Sequence, residues 1–464
     1  MSSRAQAKSA SKPGADSSVL SSATMLRAAT GVLALRVVAA IVSVALLIAL
    51  GRTLDPDSLG AFLYAWGWLE LLSVVATLGF DPLIVRTVPV ALGDADWPML
   101  RGVLRAADCG PAAAALLLLV VAALGWPWWK DVLAPHAALC VVIALVALPV
   151  RVIAIIRQST LVAAERPVLA LSMMPVMQPG LVLVTIVGLV LSGVPLNGAR
   201  VMVVAGVAML ATAIFGVVMV RVVLDRTVLD RAQSAAHTTP ARAEHRPFAN
   251  VDGVGSWVAV AAPFFVLIVA DLANTRIDLL VVGTVLGPRE AADYGVAARA
   301  GEVIRFGLLA VTPVVAPTMA RLAARGHTGE LAMVTRRAAR IVLGLTIPIV
   351  GFVLLAAPLL LSVVGPEYTS ASAVLRVLAL GYLAATVAGP AVRLLLSAGQ
   401  ERVVAQVLVC GALANLVLDL AVVGRFGLIG PATVTAVVTA TTIGVLAVVA
   451  DRRLGVSTVA WARG

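Results

Sequence analysis

The sequence predicts an all-α polytopic membrane protein with about twelve transmembrane helices in two six-helix lobes, and three observations carry that expectation. Hydrophobic residues make up 61% of the chain and charged residues 13%, against the roughly even apolar share and quarter charged share of soluble domains. Apolar runs of about 20 residues, the length that crosses a bilayer as a helix, recur twelve times. Basic residues gather on alternate connections between those runs, as a fixed membrane orientation requires.

Taken in order, residues 1–25 form a Ser/Ala/Lys-rich tail with no apolar core of its own, expected to be a disordered cytoplasmic segment. The first run, 29–51, is too long for a signal-peptide core and so reads as an uncleaved span. Five further runs follow at 60–80, 106–126, 133–153, 168–192 and 200–222, closing an N-terminal lobe over 26–223. The polar, basic and Pro-containing stretch 224–255 breaks the apolar pattern and reads as a cytoplasmic linker. A C-terminal lobe over 256–450 then holds runs at 256–286, 295–317, 338–364, 371–397, 403–423 and 428–450, before a short tail over 451–464.

With the N-terminus placed inside, and charges within about three residues of a span end counted with the adjoining connection, 24 of the 35 basic residues fall on the inner connections and tails and 5 on the outer ones. The excess obeys the positive-inside rule with both termini cytoplasmic, so the formal charge of +11 encodes orientation and gives no reason to expect a nucleic-acid partner. Cys109, Cys140 and Cys410 lie in or beside spans without paired spacing and read as small apolar residues. The four histidines have no metal-like spacing, and no phosphate-binding glycine loop, nucleophile elbow or paired catalytic carboxylates stand out. The expectation is therefore a transporter, not an enzyme, and no cofactor.

The lobes resemble each other. The stretch "ALGRTLDPDSLGAFLYAWGWLE" from Ala49 to Glu70 lies without a gap over "VVGTVLGPREAADYGVAARAGE" from Val281 to Glu302, matching Gly51, Leu54, Pro56, Phe62 and Glu70 with Gly283, Leu286, Pro288, Tyr294 and Glu302. Since each lobe has an even number of spans, the copies share one orientation and their symmetry axis runs along the membrane normal.

Six basic residues fall inside spans, Arg36, Arg276, Arg299, Arg305, Arg376 and Arg393, with the acids Glu70, Asp271, Asp278, Glu302 and Asp419. A charge at a span centre costs about 3 kcal/mol on insertion scales, so most of these must face a wet or paired interior. In "VADLANTRIDLLVVG", at about 100° per residue, Asp271 and Asp278 share a helix face while Arg276 points elsewhere and needs a partner on another helix. In "ARAGEVIR", Arg299, Glu302 and Arg305 stand at spacings of three, close enough to interact along one helix. Two readings stay open for these residues: a structural salt-bridge network, or the lining of a transport cavity. The substrate-binding candidates are Arg36, Arg276, Asp278, Arg299, Glu302 and Arg305, and the coupling candidates are Asp271, Asp278 and Glu302.

The pattern "LGRTLDPDSLGAFLYAWGWLELLSVVATLGFDPLIVRTVP", together with "RIDLLVVGTVLGPREAADYGVAARAGEVIRFGLLAVTPVVAPTMARLAARG" and "VVGPEYTSASAVLRVLALGYLAATVAGPAVRLLLSAGQERV", resembles the bacterial polysaccharide exporters, the oligosaccharide flippase branch of the multidrug/oligosaccharidyl-lipid/polysaccharide superfamily. The resemblance implies alternating access that moves a polyprenyl-diphosphate-linked oligosaccharide from the cytoplasmic to the periplasmic leaflet of the inner membrane, for cell-surface polysaccharide synthesis. Partner glycosyltransferases or a polysaccharide polymerase would then share the pathway. It also implies that guanidinium groups, among them Arg36, Arg276 and Arg305, meet the diphosphate. The alternatives are a multidrug efflux transporter of the same superfamily, the lipid II flippase branch with two additional helices, and a non-transporting assembly subunit.

Overall fold

A computed structural model describes residues 16–94, 96–129, 133–235, 254–305, 327–388 and 390–458, with isolated positions between 308 and 325. Among them the chain is helical throughout: α1 (Asp16–Thr53), α2 (Pro56–Thr77), α3 (Phe80–Gly93), α4 (Trp97–Leu124), α5 (Pro135–Ala163), α6 (Pro167–Leu191) and α7 (Gly198–Ala235) form the first lobe. The second comprises α8 (Val254–Val285), α9 (Pro288–Gly301), α10 (Thr328–Val364), α11 (Ser372–Thr386), α12 (Ala391–Ser397), α13 (Glu401–Phe426) and α14 (Ile429–Leu454). Ten of the described helices are long and apolar enough to span a membrane, and the two segments of α8 make an eleventh. The expected span at 295–317 begins within α9, and much of its second half lies outside the described residues.

Several boundaries differ from the sequence reading, each for a local reason. Helix α1 starts at Asp16, inside the expected tail, and α7 runs on to Ala235, inside the expected linker, so both continue helically beyond their apolar spans. Helix α6 carries a π turn over Met173–Met177, with a proline inside it and another just after, the usual setting for such bulges. The span expected at 371–397 divides into α11 and α12 around Pro390, consistent with the cost of proline within a helix. Helix α8 bends by 47° between Ala262 and Phe264, where Pro263 removes a backbone donor.

Helix α3 stands where only a loop was expected. Its buried residues Phe80, Leu83, Ile84, Thr87, Val88, Ala91 and Leu92 recur every three or four positions, the stripe of an amphipathic helix, too short to read as a span. Leu78 and Gly79 both adopt left-handed backbone, with φ of 52° and 76°, and turn the chain from α2 into α3. A Cβ on Gly79 would stand 2.6 Å from the Ala261 carbonyl oxygen and 2.8 Å from the Phe265 nitrogen, so glycine lets the reversal rest directly on the bent part of α8. There the Arg86 guanidinium lies 4.4 Å above the Phe264 ring.

Side chains on the outward faces, such as Leu117 and Val121 on α4 and Leu355 and Leu359 on α10, are widely exposed, as lipid-facing positions should be. The main apolar cluster runs continuously from α2, α5 and α7 into α8, α9, α10 and α11. The lobes are therefore joined through their interior, and the joint is where the repeated stretches meet: α2 packs against both α8 and α9. At the end bearing the α1–α2 loop, predicted to be outside, Gly60 lies so close to α9 that a Cβ there would overlap the Pro288 carbonyl. Deeper in the same seam, the Tyr64 and Thr284 hydroxyls are 2.8 Å apart.

Asp81, in the first turn of α3, has Oδ1 buried without a hydrogen-bond partner, and burial raises its carboxyl from 3.8 to about 6. A carboxyl raised in the folded state takes up its proton more readily there, so folded stability is favoured below the unfolded value and declines as pH climbs through about 6. Asp81→Asn is accordingly expected to raise thermal stability at pH 8 by about 1 to 3 kcal/mol and to change it little near pH 4, as measured by melting of the detergent-solubilised protein.

Candidate functional site

The intramembrane charges converge on Glu70, one turn beyond the tight part of the α2 seam. Its Oε2 lies 2.7 Å from Nε of Arg276 on α8. Its Oε1 accepts a hydrogen bond from the Trp66 indole at 2.8 Å and lies 3.6 Å from Arg299 on α9 and 4.0 Å from Arg151 on α5. Glu302, which opens the 3-10 turn over Glu302–Arg305 after α9, pairs with Arg276 at 2.9 Å and with Arg299 at 3.6 Å. Arg151 also rests on the Trp66 ring, 5.2 Å from its centroid. Three guanidinium groups thus share two carboxylates, leaving one positive charge in excess at a junction of both lobes.

The sequence expectations are met unevenly. Arg276 finds its partners on other helices, and Arg299 pairs with Glu302 as its spacing foretold. Glu302, expected to bridge Arg299 and Arg305, instead bridges Arg299 and Arg276; Arg305 is half-buried at the end of the same turn. Arg36 is half-buried on α1 and is not among the ion-pair partners of Glu70. Asp271 is exposed. Arg376 is exposed and donates from Nε to the Leu354 carbonyl at 3.0 Å.

Two members of the network were missed. Arg151 stands two residues from the end of the expected run 133–153 and so counts with the inner connection, but α5 runs to Ala163, which places Arg151 about 18 Å inside that end at 1.5 Å per residue. The signal was the continuation of apolar residues through "VRVIAIIRQSTLVA". Glu70 is among the span acids but not among the site candidates, although it is the repeat partner of Glu302, and the structure puts both carboxylates on Arg276.

Asp278 belongs to a second polar group, inside the C-terminal lobe. Its Oδ2 accepts from Tyr294 Oη at 2.6 Å and Thr435 Oγ1 at 3.3 Å, and its Oδ1 accepts from the Leu279 amide at 2.8 Å. Asp419 lies on α13, which packs along α8. It is wholly buried, and neither of its carboxylate oxygens is hydrogen-bonded within the protein. One turn earlier, Asn415 is buried with both amide atoms likewise unsatisfied. Two carboxylates, an amide and hydroxyls enclosed in apolar surroundings suit a proton or a hard monovalent cation. Among the described residues no group of three His, Cys, Asp or Glu side chains is arranged to hold a metal ion.

Comparison with known proteins places this arrangement, two helical lobes joined at a charged intramembrane seam, in a family and a fold. The sequence profile of a family described as "Polysaccharide biosynthesis protein" matches residues 26–323, and a second, described as "MatE", matches 271–421. The first covers more than half the chain, so the protein belongs to that polysaccharide biosynthesis family. No curated protein sequence matches. Among solved structures, the chain is similar to one described as the inward-facing conformation of a multidrug resistance MATE family transporter of the MOP superfamily, at 13% identity and a TM-score of 0.68, covering 92% of this chain and 98% of the other. It is similar to the lipid II flippase MurJ in an inward closed conformation at 14% identity and 0.63, covering 92% and 87%. An outward-facing MATE structure gives 14% and 0.58, covering 92% and 96%. The chain thus shares its fold with these structures.

The Tyr294 hydroxyl is a buried donor to a buried carboxylate, and removing it should cost about 1.5 to 3 kcal/mol. Tyr294→Phe is expected to lower the melting temperature of the purified protein, with membrane insertion in cells unchanged.

Proposed function

We propose that this protein is a flippase that carries a polyprenyl-diphosphate-linked oligosaccharide from the cytoplasmic to the periplasmic leaflet of the inner membrane, with both termini cytoplasmic and 224–255 as the linker between lobes. The observation that carries the reading is the net positive arginine network at mid-membrane, built from both lobes. An excess guanidinium suits a diphosphate, whose oxygens accept its planar fork, and opposes the cationic cargo of a drug exporter. Membership in a polysaccharide biosynthesis family and a fold shared with a lipid-linked flippase support the same reading. The sugar head group sits between the lobes while the polyprenyl tail stays in lipid, and partner glycosyltransferases or a polymerase supply and consume the substrate.

A multidrug efflux role is the second reading, favoured by the match of the second lobe to the MatE profile. Expression of the wild type and of Arg276→Ala, at matched membrane abundance, separates the two. Periplasmic exposure of the lipid-linked oligosaccharide is expected to fall at least tenfold in the variant; unchanged exposure would end the flippase reading, and drug export by the wild type would replace it.

Asp278 and Asp419 form the coupling site in this reading, while Asp271 and Glu302 take no part in that group. In proteoliposomes, Asp419→Asn is expected to abolish the response of flipping to an imposed proton or sodium gradient while leaving binding of the glycolipid intact. Retention of that response would move coupling elsewhere.

A further inference from the structure

We propose that Glu70 is an internal stand-in for a substrate phosphate: it occupies the arginine site of the empty carrier, ties the lobes together there, and gives way when a diphosphate arrives. The inference rests on the flippase reading, from which it takes the chemistry of the ligand.

The convergence is the first support. Arg151 comes from the same lobe as Glu70, whereas Arg276 and Arg299 come from the other. Of the two carboxylates only Glu70 meets all three guanidinium groups, and with Glu302 counted the set is still one negative charge short; a diphosphate offers more charge and more acceptor oxygens than Glu70.

The geometry is the second. Arg276 Nε stands 2.7 Å from Glu70 Oε2, yet neither atom has a hydrogen-bond partner, so the contact is one of charge without a directed bond. Arg151 reaches no nearer than 4.0 Å, and its own Nε is buried without an acceptor. A buried pair repays its desolvation only with excellent geometry and satisfied donors. This one leaves donors spare, which suits an anion that must be exchangeable.

Access gives the third. The Glu302 and Arg299 side chains are 40% and 27% exposed, against 15% for Glu70 and 14% for Arg276. An anion therefore meets the network at its Arg299 edge and reaches Glu70 last. As it claims Arg276 and Arg299, the cross-lobe contacts of Glu70 are lost, while the Trp66 indole holds the freed carboxylate within its own lobe. Loading and unlocking become one event, and an empty carrier stays latched.

The test uses the full chain in lipid nanodiscs, with geranylgeranyl diphosphate as probe and spin labels at Ser192→Cys and Ile429→Cys, both exposed at the end predicted to be outside, after replacing the three native cysteines with alanine. In the wild type, the diphosphate is expected to lengthen the label-to-label distance, and Arg276→Ala to weaken binding. Glu70→Gln is expected to bind the probe about tenfold more tightly, about 1.4 kcal/mol, and to show the longer distance without it. Should that variant not fold, Glu70→Asp, which keeps the charge but shortens its reach, is expected to shift affinity in the same direction. Equal or weaker binding by these variants, or a wild-type distance indifferent to saturating diphosphate, overturns the inference and leaves the flippase reading standing. Failure of the wild type to bind the diphosphate overturns both.

Discussion

Every feature of this molecule is shaped by the cost of holding charge where water is scarce. A lone charge at a span centre costs about 3 kcal/mol on insertion scales, comparable with a large part of a domain's roughly 5 to 15 kcal/mol net stability. Glu70 and its arginines are tolerated because, with Glu302, they offset all but one of their charges, and they can do so only if α2, α5, α8 and α9 are held side by side. The network thereby fixes which helices must meet at the junction of the lobes, and the apolar seam above it makes that meeting tight.

The two polar groups divide the chemistry between them. The arginine network lies across the lobes and is partly accessible, which in the reading we propose ties its occupancy to their relative position. The Asp278 and Asp419 group is enclosed in one lobe, which in the same reading limits it to a ligand as small as a proton or a monovalent cation. Both act on α8, since Arg276 and Asp278 are two residues apart and point to different neighbours. Their helix is also the one bent at Pro263 and gripped by α3, which gives events at either group a common mechanical element.

Much of this was legible in the sequence. The period and length of apolar runs located most spans because burial in lipid leaves few alternatives to a continuous helix, and the charges in "VADLANTRIDLLVVG" were recognisable because so few are allowed there. What stayed hidden depended on tertiary reach. Arg151 looked like a loop residue because a count of about 20 residues ends the span beside it, whereas the apolar residues and α5 both continue to Ala163. Glu70 looked ordinary because its importance comes from three residues 81, 206 and 229 positions away. Asp419 stood among the span acids, yet nothing in the sequence joined it or Asn415 to Asp278, since a helix periodicity does not tell which polar face meets that residue. Helix α3 was readable in principle from its stripe but fell below the length that a span search seeks.

The bare contact of Gly60 with the Pro288 carbonyl bears on the alternating-access cycle we propose. At that spot α2 and α9 meet with no side chain of residue 60 between them. In such a cycle, parting them would uncover peptide, which glycine leaves open to solvent and which water wets readily, in contrast to the adhesive surface that leucines would present.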